Sequence, residues 1–318
     1  MKTLTSYLGI DVSKRKLHLG STEKFLGEFE NNPVGHQKLI KRLVALRPIC
    51  LVLEASGGYE RQVCDAMQDA GLPITVAQPG CVKHFAKSIK VLAKTDKIDS
   101  QVIARFAEAT KPQPTPKTPE NIRKFRALCD RRTQIVEDRV RESNRLETCA
   151  DPAMAKHIQA NLQRLLKMEK KLDKQIAKTL ESENDFQRKI QAMTKQKGVG
   201  VQTASILLAH LPELGTLSRQ QVAAIAGLAP HPRESGNWKG KRRIYGGRSA
   251  VRTAMYMAAK TAARCCPVIH EFYLRLRANG KSYNLALIAC ARKMLIRLNT
   301  VLRELNQELS APNGTQTT

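Results

Sequence analysis

Apolar and polar positions alternate over residues 6–30 in a way that predicts three short strands. Tyr7-Leu8-Gly9-Ile10-Asp11 is the first, Leu17-His18-Leu19-Gly20 follows a basic turn, and Phe25 to Phe29 makes the third. The period then lengthens. Leu39, Ile40, Leu43 and Leu46 recur on one face of a helix that opens near Pro33. Cys50-Leu51-Val52-Leu53-Glu54 is a continuous apolar run, the pattern of a strand buried on both faces. Ser56-Gly57-Gly58 turns the chain into a helix through Ala70, Gly71-Leu72-Pro73 breaks it, and Ile74-Thr75-Val76 makes another strand. Helices from about 80 to 110 complete the region. Three strands followed by alternating helix and strand imply an α/β sheet covered by helices.

The pattern stops at Lys111-Pro112-Gln113-Pro114-Thr115-Pro116-Lys117-Thr118-Pro119, where four prolines exclude a helix and favour extended backbone. A domain boundary is expected here, with one domain over 1–112 and a linker over 113–119. Residues 120–186 are charged and almost free of glycine. Ile158, Leu162, Leu165, Leu172, Ile176 and Leu180 repeat near heptad spacing, and Asp151-Pro152 interrupts the run. Two long helices folded back as an antiparallel coiled-coil arm, or a dimerising stalk, are expected; an element of a helical bundle is the alternative. Residues 187–309 read as a mostly helical third unit. Gly198-Val199-Gly200 lies between two of its helices and resembles a helix-hairpin-helix loop, whose backbone N–H groups can face a phosphate; a simple turn explains it equally well. A polar, cation-rich stretch follows over 231–248, two or three helices close the chain, and a disordered tail is expected over 310–318.

Charge changes the picture. The 318 residues carry 54 Lys plus Arg against 28 Asp plus Glu, a net charge of +26. Such an excess attracts polyanions and releases counterions from nucleic acid. An anionic membrane surface is the competing partner, but no apolar run approaches the roughly 18 residues of a span, and the N-terminus reads as a strand rather than a signal peptide. Aromatic residues are only 4%, which favours aliphatic-packed domains over one large β-rich core. The eight cysteines include no CxxC pair and sit mostly in apolar segments, so reduced thiols in a cytoplasmic, nucleoid-associated protein are expected rather than a zinc site.

The acids supply candidate chemistry. Asp11 ends the first strand and Glu54 ends the central apolar one, and strand ends on one sheet edge are where α/β sites form. Asp96 and Asp99 are three residues apart in Lys94-Thr95-Asp96-Lys97-Ile98-Asp99, so on a helix both face one way. Four converging carboxylates repel one another, and a hard divalent ion, Mg2+ or Mn2+, relieves that. Two ions are expected, as in phosphoryl-transfer sites. Taken singly, each acid has an ordinary alternative as a turn residue, helix cap or surface ion-pair partner. A strand-one Asp, a meander and a later-strand Glu together have the layout of a ribonuclease-H-like nuclease.

GIDVSK at 9–14, LEASGGYE at 53–60 and KTDKIDS at 94–100 resemble the three motifs of the DEDD transposases of the insertion-sequence one-ten family. KGVG at 197–200, AGLAP at 226–230 and RESGNWKGK at 233–241 resemble that family's C-terminal transposase domain. The resemblance implies a ribonuclease-H-like (RuvC-like) N-terminal domain and a recombinase guided by a noncoding bridge RNA that pairs with donor and target DNA. It implies that Asp11, Glu54, Asp96 and Asp99 bind metal and that Ser235 is the nucleophile. Glu60 is a rival to Glu54, which is preferred for its place on the strand.

Serine attack on phosphorus would split strand exchange into two transesterifications. Arg233, Lys239, Lys241, Arg242, Arg243 and Arg248 surround Ser235 in sequence and, with Gly198 and Gly200, are the candidate nucleic-acid contacts. His231 is either a base or a solvated loop histidine. Because Ser235 lies beyond the linker and the arm, a site completed by the carboxylates of another protomer is expected, with a serine folded back in cis by the antiparallel arm as the alternative; the homo-oligomer is expected to be a dimer or, in the synaptic complex, a tetramer. The competing functions are a junction-resolving nuclease, which needs the acids but not the serine, and a nucleic-acid-binding scaffold without catalysis.

Overall fold

The computed structural model describes residues 7–91, 95–232, 234–235, 238–240 and 242–310. The chain divides into two compact units at Thr118/Pro119.

The first unit holds one five-stranded sheet. Its strands are β1 (Tyr7–Val12), β2 (Lys16–Gly20), β3 (Phe25–Glu30), β4 (Cys50–Glu54) and β5 (Ile74–Ala77), in the spatial order β3-β2-β1-β4-β5. The first three form an antiparallel meander, and β4 and β5 add in parallel, β4 alongside β1. The helices are α1 (Pro33–Leu46), α2 (Glu60–Asp69), α3 (Pro79–Ser88) and α4 (Asp96–Thr110). Asn32 caps α1, its side chain accepting from the Gly35 amide at 2.8 Å.

The pleat sorts the strands between two cores. Leu8, Ile10, Leu17, Leu19, Leu51 and Leu53 face Leu39, Leu43, Val63 and Met67 of α1 and α2. Cys50, Val52 and Ala77 face Val82, Val102, Ile103 and Ala107 of α3 and α4. The sheet is therefore covered on both sides, as the continuous apolar run of β4 requires. The prolyl segment is held against β5: the Thr115 amide donates to the Ile74 carbonyl at 2.8 Å and the Thr75 hydroxyl to the Gln113 carbonyl at 2.6 Å.

The second unit opens with α5 (Glu120–Thr148) and α6 (Pro152–Ser182), joined by Cys149-Ala150-Asp151. Asp151 caps α6, accepting from the Met154 amide. The pair is antiparallel, because early residues of one meet late residues of the other. Asn121 reaches Glu183, Arg132 reaches Asp173 at 2.5 Å, and Arg139 reaches Glu169 at 2.9 Å. Of the heptad positions, Leu165, Ile176 and Leu180 are buried within the single chain.

Next come α7 (Asn184–Thr194), α8 (Val201–His210) and α9 (Arg219–Ile225), then four two-residue strands, β6 (Pro230–His231), β7 (Glu234–Ser235), β8 (Trp238–Lys239) and β9 (Arg243–Ile244). The chain closes with α10 (Ser249–Cys265), α11 (Pro267–Ala278) and α12 (Tyr283–Ser310). The root of the α5–α6 pair belongs to the same core as these helices: the Phe125 ring meets that of Phe186 at a tilt, centroids 5.2 Å apart, and Phe125, Cys129, Ile176 and Leu180 pack into the cluster built by α8, α10 and α12. Residues 120–186 and 187–309, separated in the sequence reading, thus share one interior. The expected tail falls, beyond Ser310, outside the described residues. Among the described residues no helix is long and apolar enough to cross a membrane. Cys50, Cys129, Cys266 and Cys290 are buried, whereas Cys81 and Cys265 are exposed.

Candidate active site

Two glycines set the geometry of the acid cluster. Gly9 and Gly20 are partners across β1 and β2 and together leave a bare patch on the sheet. On it lies α4, with Ser100 fully buried against the patch; a Cβ on Gly20 would stand 2.6 Å from Ser100 Oγ, and one on Gly9 would overlap the Ser100 carbonyl and the Ala104 amide. Since side chains alternate along a strand, Asp11 lies two residues beyond Gly9 on the face that α4 covers. The β1–β4 pairing runs through Ile10↔Leu53, so Asp11 and Glu54 are the next row, and Glu54 shares the parity of Cys50 and Val52 beneath α3 and α4. Helix α4 begins over this row. Thr95 caps it, its hydroxyl accepting from the Ile98 amide at 3.3 Å, and Asp96 and Asp99 occupy the first turn. Acids there also oppose the positive end of the helix dipole.

Burial, then the charges of Asp99 and Asp96, push the Asp11 carboxyl above its usual range, with His18 and the Val12 amide pulling the other way. The charges of Asp96 and Asp99 thus reach the Asp11 carboxyl. Glu60 has a different task. Its carboxylate accepts from the Ser56 and Gly58 amides, both at 2.9 Å, and from the Ser56 hydroxyl. Burial alone would raise its pKa, but the hydrogen bond from its own backbone amide, with those from Ser56 and Gly58, outweighs that and lowers it. It ties the loop after β4 to the start of α2.

The strand pairing adds His18, which sequence reasoning placed in a strand without a role. His18 is the cross-strand partner of Asp11, and Glu28 is the partner of His18. His18 is buried; its Nε2 lies 3.1 Å from Glu28 Oε2 and its Nδ1 lies 3.8 Å from Asp11 Oδ2. Asp11, His18 and Asp96 each present a ligand atom, all within 4.8 Å of one another. The donor set of carboxylates and one imidazole, with a buried His18 Nδ1 lacking a hydrogen-bond partner, fits a divalent cation. The signal was present in the alternation of Leu17-His18-Leu19-Gly20, but only register shows that His18 falls beside Asp11.

In the second unit, the cation-rich stretch forms two small ribbons, β6 with β9 and β7 with β8. Ser235 lies on β7, paired with Trp238, and Lys239 with Glu234; for Ser235 and Lys239 the backbone alone is described. Arg233 and Lys241 lie outside the described residues. His231 is exposed on β6 opposite Arg243. Arg242 and Arg243 line a cleft of about 900 Å3, whose apolar wall of Phe272, Leu276, Leu285 and Ile288 comes from α11 and α12. Arg219, Lys281, Arg292 and Lys293 complete its cationic lining, and no acid is among the described residues that form it.

Arg248 is engaged elsewhere. It grips Glu213 with two bonds of 2.6 and 2.7 Å and donates to the His210 carbonyl. Burial raises the Glu213 carboxyl, but the hydrogen bond and charge of Arg248 outweigh it and bring it below its usual range. Gly198 is needed for packing: it takes φ +93°, and a Cβ there would stand 2.6 Å from Ala262 Cβ. Gly200 precedes α8 with open space around it.

Both halves of the chain match models of known protein families. Residues 8–154 match the DEDD model of IS110 type described as Transposase, and residues 190–274 match the model described as Transposase IS116/IS110/IS902 family. A pilin gene-inverting protein of Moraxella bovis is 25% identical over 311 residues, covering 94% of this chain and 96% of the relative. An IS110 protein of Streptomyces coelicolor is 34% identical over 115 residues, 35% of this chain and 28% of the relative. An IS900 protein of Mycobacterium paratuberculosis is 38% identical over 89 residues, 27% and 22% of the two chains. With the two models together reaching from residue 8 to residue 274, in the order of the chain, this protein belongs to the IS116/IS110/IS902 family of transposases, enzymes that recombine DNA.

Proposed function

We infer that the chain is the transposase of an insertion sequence, cutting and rejoining DNA with a metal-dependent DEDD site and a nucleophilic serine. The observation that carries this reading is the convergence of Asp11 with Asp96 and Asp99 beneath the start of α4, in the row that Glu54 continues. A mixed sheet with a leading meander and acids at neighbouring strand ends supports a ribonuclease-H-like, RuvC-like first unit. The long antiparallel α5–α6 pair supports a coiled-coil arm, and the α7–Gly198-Val199-Gly200–α8 segment a helix-hairpin-helix-like element.

Asp11, Glu54, Asp96 and Asp99 would hold Mg2+ or Mn2+, expected as two ions. When bound, such an ion polarises a phosphate oxygen and neutralises developing negative charge. The chain's own acids keep that place electronegative, while burial of Asp11 limits competing water. Ser235 Oγ would form a bond to phosphorus as the sugar hydroxyl leaves with a proton. Attack of a second strand's hydroxyl would then release the serine, and since the phosphodiester bond energy is retained, no ATP is needed. Arg242 and Arg243, with Lys239, Arg233 and Lys241 in the same stretch, would take the phosphate charge. The cleft lined by Arg243, with no acid among the described residues that form it, suits an unstacked base against Phe272 with phosphates on its cationic rim.

The net charge of +26 supports both DNA and a guide RNA as partners. RNA co-purified with the chain should include a noncoding species that pairs with both DNA partners.

The decisive test offers purified protein branched DNA and Mg2+. Strand exchange with a protein–DNA adduct absent from Ser235→Ala supports the recombinase; nicks without an adduct support a junction-resolving nuclease. A second reading, inversion of a resident DNA segment, is favoured by the full-length match to a pilin gene-inverting protein. Plasmids carrying recombination sites in inverted and in direct orientation distinguish the two outcomes.

A further inference from the structure

We propose that His18 is a nitrogen ligand of the acid site, offering Nδ1 to the divalent ion beside Asp11, with Glu28 orienting the ring; this rests on the metal-dependent reading of the DEDD cluster.

Three observations combine. First, the ring is 4% exposed and its Nδ1 is buried without a hydrogen-bond partner. A buried nitrogen left so is unfavourable whether it carries a proton or a lone pair, so the fold has reason to give it a partner. Asp11 is not that partner, because 3.8 Å is beyond hydrogen-bonding distance.

Second, the separation suits a shared ion. Two ligands each ~2.1 Å from one cation stand at most ~4.2 Å apart, and His18 Nδ1 lies 3.8 Å from Asp11 Oδ2, while Asp96 Oδ2 lies 3.8 Å from the ring's other nitrogen, Nε2.

Third, the far side of the ring is already held. Glu28 Oε2 lies 3.1 Å from Nε2, and Glu28 Oε1 is itself paired with Lys16 at 2.5 Å. An ionised Glu28 accepts the Nε2 proton and directs the Nδ1 lone pair toward Asp11. This carboxylate–histidine–metal relay is how proteins commonly fix a ligating imidazole. The sheet register builds it directly, since Asp11, His18 and Glu28 are one cross-strand row. An imidazole among carboxylates should favour Mn2+ over Mg2+ relative to an all-oxygen site.

The test is pulsed EPR of the full chain loaded with Mn2+, with and without 15N-labelled histidine, alongside Mn2+ and Mg2+ titrations. The expected result is a 14N modulation that changes to the 15N pattern on labelling and disappears in His18→Gln. That variant should also weaken Mn2+ binding at least tenfold and Mg2+ binding less, and Glu28→Gln should weaken Mn2+ roughly 10- to 100-fold. Bound Mn2+ without histidine modulation in the wild type, or modulation that survives in His18→Gln, would overturn the proposal and leave the acid site standing. Absence of Mn2+ binding in the wild type would overturn both. The labelled wild-type spectrum decides the matter even if a variant fails to fold.

Discussion

Gly9 lies directly beneath Ser100, so close that any side chain on Gly9 would overlap the Ser100 carbonyl. This contact seats α4 on the sheet and brings Asp96 and Asp99 over Asp11. Gly9→Ala should force α4 away and cost about 1–3 kcal/mol, as overpacking does. Cleavage should fall more steeply than stability, because an ångström of displacement is enough to misplace catalytic groups. Thermal melts read beside cleavage rates check this; a variant that cleaves at the wild-type rate would show that the seat does not set the site.

The acids repel one another when no cation is present. Asp11→Asn should therefore raise the melting temperature of the metal-free protein by a few degrees at neutral pH, while abolishing cleavage. Added Mn2+ should stabilise the wild type and leave the variant nearly unchanged. Asp96→Ala and Asp99→Ala should likewise lose cleavage and keep RNA binding, measured by gel shift.

Arg248 and Glu213 latch two segments of the helical unit together. Replacing Arg248 with Met should cost about 1–2 kcal/mol, the low end for a bidentate pair, since both side chains keep roughly a third of their surface in water. The pH dependence has a definite sign. Glu213 titrates lower in the folded protein than its ordinary 4.5, so the latch contributes fully above 4.5 and is lost as pH falls through the lower folded value. The gap in melting temperature between wild type and Arg248→Met should be constant from pH 7 to about 5.5 and shrink below 4.5.

Leu165 is buried by α5 of its own chain. Leu165→Ala should cost about 2–3 kcal/mol of helical stability, visible by circular dichroism. If the hairpin is complete without a second chain, the mass distribution in solution should stay unchanged; a downward shift would assign this face to protomer association as well.

The cleft beside Arg243 should bind nucleic acid through charge. Lys281→Glu with Arg292→Glu should weaken DNA binding at least tenfold and flatten its salt dependence by about two units of log–log slope or more. An unchanged slope would place the nucleic acid elsewhere.

Local pattern carried much of this protein. The alternation of residues 7–29, the apolar run of Cys50–Glu54 and the heptads after Ile158 each encode an element through its own periodicity, and a period needs no distant partner to be read. The same holds for the DxxD of Asp96 and Asp99, which three-residue spacing places on one helix face. What the sequence left open was set by contacts between remote residues. That His18 stands beside Asp11 follows from a register fixed across β1 and β2. That Glu60 is spent on the Ser56 and Gly58 amides, that Arg248 is spent on Glu213, and that Gly198 makes room for Ala262 follow from tertiary packing. Among the described residues of 230–244, each ribbon strand has two residues, too few for alternation to appear. A charge or a glycine in a sequence shows what a residue can do; only the fold decides which neighbour uses it first, because burial and distance set the energy of every such contact.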